Sequence, residues 1–132
     1  MGASPLHLVL PAEAKSVFAA RQALSQYVMG EGVDLERVRT AVSEAVGNAV
    51  IHAYRGHETG SVELRAEWTD EGLLVTVSDQ GVGMTPNIDS GGLGLGLALI
   101  GKVSDRFEIA EGQGVKIRMV FANPKHADER LA

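Results

Sequence analysis

The stretch over residues 61–78 constrains the fold of this chain more than any other. Apolar and polar side chains alternate from 61 to 68, Asp70, Glu71 and Gly72 supply a turn, and an apolar run from 73 reaches Ser78 and then Asp79. A period of two sets one face of each run against a core and the other toward water, which reads as two strands joined in a hairpin. A closing hairpin is predicted from 106–110 and 115–121, turned by Glu111, Gly112, Gln113 and Gly114, and a short strand over 6–10.

Helical spacing fills the segments between. Pro11 ends the first strand and suits the opening turn of a helix reaching about Met29, with Val17, Phe18, Leu24 and Val28 as its apolar face. Gly30, Glu31 and Gly32 break it. Asp34 is an N-cap residue for a long helix to about Tyr54, although Arg37 leaves the capping box incomplete. Residues 55–60 read as an exit loop, 84–91 as a mobile loop, and about 95–103 as a third helix. Trp68 reads as a packing residue at the end of an edge-like strand. Segregated strands and helices give an α+β fold, a two-layer α/β sandwich with a mainly antiparallel sheet covered on one face by three helices. Residues 1–122 are expected to form a single domain, followed by a polar tail over 123–132.

Composition narrows the chemistry. The 132 residues contain no cysteine, which removes disulfides and thiolate zinc sites, and the histidines at 7, 52, 57 and 126 lack metal-ligand spacing. A net charge of -5 argues against direct nucleic-acid binding, which needs a basic face. No apolar run approaches the roughly 20 residues of a membrane span, and the first ten residues lack a secretory signal, so a cytoplasmic location is expected.

Three segments can carry chemistry together. Glu44 and Asn48 are four apart on the second helix, so they differ by only ~40° around its axis and share a face. An Asn oxygen is a hard neutral ligand for Mg²⁺, and a neighbouring Glu can take a proton from an attacking hydroxyl or water. Asp79 ends an apolar strand, where an acceptor-only carboxylate matches the exocyclic amine of adenine and rejects the carbonyl of guanine. Gly81 and Gly83 let the backbone bend close to a flat ring. Gly92, Gly94 and Gly96, with Leu95 among the anchoring leucines, open the third helix, where bare N–H groups attract phosphate. This run is neither a Rossmann fingerprint nor a Walker loop, since it lacks the βαβ setting of the one and the Gly-Lys-Ser/Thr of the other.

Their order, helix, strand end, helix start, resembles the GHKL ATPases, the family of gyrase, heat-shock chaperone, histidine kinase and mismatch-repair ATP-binding domains with the Bergerat fold. The resemblance is closest to the anti-sigma factor serine kinases. It runs from Leu6 to Phe121, with residues 43–54 similar to their N box and His52 standing where histidine kinases more often place Lys. It implies ATP and Mg²⁺ as cofactors, Glu44 as general base toward a partner's serine, and Asn48 as the Mg²⁺ ligand. Asp79, Gly81 and Gly83 would hold adenine, and Gly92, Gly94, Leu95 and Gly96 the phosphates. The implied partners are a sigma factor and its STAS-type antagonist, met by a homodimer, with Arg21 a candidate contact. Two alternatives stay open. One is a nucleotide-gated binding module without turnover, favoured by the short 84–91 segment and the lack of a basic residue just before Gly92; the other is a detached histidine-kinase ATPase domain.

Overall fold

A computed structural model describes residues 4–53, 60–80, 92–112 and 114–123. The elements run β1 (Leu6–Pro11), α1 (Lys15–Tyr27), α2 (Leu35–Asn48), a π-helical turn (Ala49–Ala53), β2 (Ser61–Thr69), β3 (Gly72–Asp79), α3 (Gly92–Val103), β4 (Arg106–Gly112) and β5 (Gly114–Ala122). The five strands form one antiparallel sheet in the order β1-β2-β3-β5-β4. The last hairpin therefore does not simply extend the meander, because β5 inserts between β3 and β4.

Alternation decides which face is covered. Val62, Leu64 and Ala66 of β2, Leu73, Val75 and Val77 of β3, and Ile117, Met119 and Phe121 of β5 are buried in one core with Ala20 and Leu24 of α1, Val38, Ala41, Val42, Ala45 and Val46 of α2, and Ile100 of α3. The intervening Glu63, Arg65, Lys116 and Arg118 lie on the opposite, open face, where Arg118 and Glu108 approach to 3.5 Å. The expected α+β sandwich with three helices over one face of the sheet is what forms.

Four local expectations are corrected. Pro11 closes β1 instead of opening a helix: β1 is an edge strand, where a missing N–H costs little, and the Ser16 hydroxyl bonds back to the Pro11 carbonyl as α1 starts at Lys15. Phe18 is 62% exposed, since the buried stripe of α1 runs through Ser16, Ala20 and Leu24. β2 is interior, and its Trp68 stacks on Tyr27 with centroids 6.1 Å apart, joining the sheet to the end of α1. The third helix starts at Gly92, not near residue 95, so the glycines lie within its first turns. Asp34 does cap α2, accepting from the Glu36 and Arg37 N–H groups at 3.0 and 3.3 Å.

Candidate functional site

In α2 the residues Val38, Ala41, Val42, Ala45 and Val46 recur at helical spacing and are buried, which fixes the rotation of the helix over the sheet. Glu44 and Asn48 flank that stripe and are half-buried. At Asn48 the regular helix gives way to the π-helical turn, which packs against β3 and β5. Such turns widen a helix locally and recur at functional sites. Here the turn brings the end of α2 down onto the sheet.

Asp79 belongs to β3, the strand on which α2 and the π-helical turn pack. Side chains two apart on a strand share a face, so Asp79 lies with Val75 and Val77 on the helix-covered side of β3, and it is only 7% exposed. A carboxylate so buried must be hydrogen-bonded. One donor is the Val115 N–H of β5, 3.4 Å from Asp79 Oδ1. That approach depends on Gly114, whose φ of +112° is unfavourable for residues with a side chain.

The third part is the start of α3, which packs along α2. Its backbone is helical from Gly92, so its first N–H groups have no carbonyl a turn earlier in the helix, the kind of place where an anion is favourably held. The backbone of Gly92, Gly94, Leu95 and Gly96 belongs to these opening turns, with Lys102 in the last turn. Gly81, Gly83 and residues 84–91 lie outside the described residues, as do the exit loop over 55–59 and the tail from 124.

Whether Mg²⁺ suits this place is tested by Asn48. Among the described residues its amide nitrogen is buried without a hydrogen-bond partner, an orphaned polar group that a bound ligand could satisfy. Its other end is an oxygen of the hard, neutral kind that Mg²⁺ takes. The residue present therefore fits the ion. By contrast, a cavity of about 200 Å³ lined by Thr69, Leu74, Arg106, Arg118 and Val120, among others, contains none of these groups and opens on the uncovered side of the sheet. There Arg106 is paired with Glu71 at 2.6 Å.

Sequence reading placed Glu44, Asn48 and Asp79 on the elements where they are found. It missed the support of Asp79 by Gly114 and Val115, since that contact spans 36 residues and no local spacing encodes it. The available signal was Gly114 itself, a glycine at the turn of the closing hairpin.

Comparison with known proteins gives this arrangement a family. The sequence profile described as the histidine kinase-like ATPase domain matches residues 10–121. The chain is 34% identical over 134 aligned positions to the serine-protein kinase RsbW of Staphylococcus epidermidis, covering 87% of this chain and 84% of the relative. It is 31% identical to the RsbW of Listeria innocua, covering 92% and 90%. Against the anti-sigma F factor of Clostridium beijerinckii it is 30% identical, over 64% and 68%. Among solved structures, the RsbU and RsbW domains of a Mycobacterium tuberculosis protein superpose with a TM-score of 0.71 at 23% identity, over 92% of this chain and 33% of that one. A blue-light activated histidine kinase domain of Erythrobacter litoralis gives 0.62 at 18%, over 89% and 64%. These two likenesses concern the fold alone, and this chain spans less than two thirds of either solved chain. With a matching profile across the sheet and its helices, and serine-kinase relatives aligned over most of both lengths, the chain belongs to the histidine kinase-like ATPase family, in the branch of the anti-sigma serine kinases.

Proposed function

We propose that the protein is an ATP-dependent anti-sigma serine kinase, which sequesters a sigma factor and phosphorylates the sigma factor's antagonist on serine. The observation carrying this reading is the alignment to serine-protein kinases over more than four fifths of both chains. Glu44, Asn48 and Asp79 on one side of the sheet are consistent with it.

In this reading Asp79 accepts from the exocyclic amine of adenine, Gly81 and Gly83 give the ring a bare backbone to lie against, and the N–H groups opening α3 at Gly92, Gly94, Leu95 and Gly96 hold phosphate oxygens. Asn48 would hold Mg²⁺, which when bound neutralises phosphate charge. The partner's serine oxygen attacks the γ-phosphorus as the bond to the β,γ-bridging oxygen breaks. Glu44 accepts the hydroxyl proton, and ADP leaves.

The test is incubation with radiolabelled ATP and the cognate antagonist. Acid-stable label on an antagonist serine is expected, and Glu44→Ala should lower the transfer rate by about 100-fold or more while MgATP still binds. Acid-labile label would assign the chain to histidine phosphorylation. MgATP binding with no label on the antagonist would leave a nucleotide-gated binding module.

A further inference from the structure

Two glycines sit at opposite ends of the β3–β5 strand pair, and both have positive φ, +131° at Gly72 and +112° at Gly114. Both are pressed so closely that a Cβ would collide. At Gly72 the atoms met are all backbone, with Phe121 O at 2.3 Å, Asn123 N at 2.9 Å and Ala122 Cα at 3.0 Å. At Gly114 they belong to a single residue: Asp79 O at 2.1 Å, Asp79 C at 2.9 Å and Asp79 Oδ1 at 3.0 Å. One glycine closes a turn, whereas the other abuts the backbone and the carboxylate of Asp79. The residue after it, Val115, donates its N–H to the same Oδ1. On its other flank Asp79 is paired with Val62 of β2, so the carboxylate is held at a fixed place between two strands.

We infer that Gly114 and the Val115 N–H are positioning groups for Asp79, seating its carboxylate so that it reads the 6-amino group of a purine and thereby sets selectivity for adenine over guanine. The inference rests on the reading of Asp79 as the adenine acceptor and adds what fixes that acceptor in place. Discrimination between an amine and a carbonyl requires an acceptor that cannot swing away to relieve the mismatch. A side chain at 114 would displace Oδ1 and draw the Val115 N–H from it. Adenine would lose a well-placed acceptor, and guanine would no longer be forced against a fixed one.

Calorimetric titration with MgATP and MgGTP on the wild type, Gly114→Ala, Gly72→Ala and Asp79→Asn tests this, at a temperature where circular dichroism shows each variant folded. Gly72→Ala strains the same strand pair away from Asp79 and should lower the thermal midpoint with the ATP-to-GTP affinity ratio kept within about twofold, whereas Gly114→Ala should lower that ratio by about tenfold or more. Asp79→Asn should abolish the preference. A wild-type ratio in Asp79→Asn would overturn the adenine reading itself. Loss of the ratio in Asp79→Asn but not in Gly114→Ala would overturn the positioning inference alone, and so would equal loss in the two glycine variants. Should Gly114→Ala not fold, the wild type and Asp79→Ala are compared by amide NMR. The Val115 N–H should then move upfield and exchange at least about tenfold faster in Asp79→Ala, with Ile117 unchanged. An unmoved Val115 resonance would refute the contact.

Discussion

His7 on the edge strand β1 and Glu63 on its neighbour β2 are hydrogen-bonded through Nε2 and Oε2, with Arg65 Nε 3.4 Å from the same carboxylate oxygen. The bond to His7 is the main reason that the Glu63 carboxyl is held below its ordinary range; partial burial opposes the shift and Arg65 assists it. A carboxyl depressed in the folded state adds stability that is present above its unfolded value and lost as pH falls through the folded one. Glu63→Gln should therefore lower the urea midpoint slightly near pH ~7, and the difference should narrow toward pH ~3 as the carboxyl takes up its proton. The effect is small, because both side chains are well exposed to screening water. A gap between wild type and variant that is the same at both pH values would contradict it.

Among the elements, α2 and its flanking turns separate what glycine does for space from what it does for conformation. Gly30, in the turn after α1, has φ +84° with nothing within 4 Å of an added Cβ, while Gly47 in α2 has equal room and an ordinary helical backbone. Gly30→Ala should cost about 1 kcal/mol through left-handed strain, and Gly47→Ala should gain about 0.5–1 kcal/mol through helix propensity, both measured by urea unfolding. The α2 start was legible at Asp34, because a cap is a contact between residues two and three apart. The π-helical turn after Asn48 was not. Residues 49–53 continue a helical pattern, and what widens there is the part of the chain packed on β3 and β5. Phe18 likewise has the residue type of a core position, but the rotation of α1 was set by Ala20 and Leu24 meeting the sheet and α2.

For the whole molecule, binding and folding are linked. MgATP at about one hundred times its Kd should raise the free energy of unfolding by about 2.7 kcal/mol, with a smaller rise for MgGTP at the same concentration. Equal stabilisation by the two nucleotides in urea titrations would count against Asp79 as the discriminating group. The local chemistry of the chain determined its strands by period-two alternation, its helices by apolar spacing and one cap, and the elements on which its candidate site residues lie, since each of these depends on neighbours a few residues apart. The tertiary structure decided that β5 pairs with β3 and that Gly114 abuts Asp79. Strand order is a choice among long-range pairings that bury similar apolar faces. It is settled only when the sheet, the helices above it and the turns at its ends pack together.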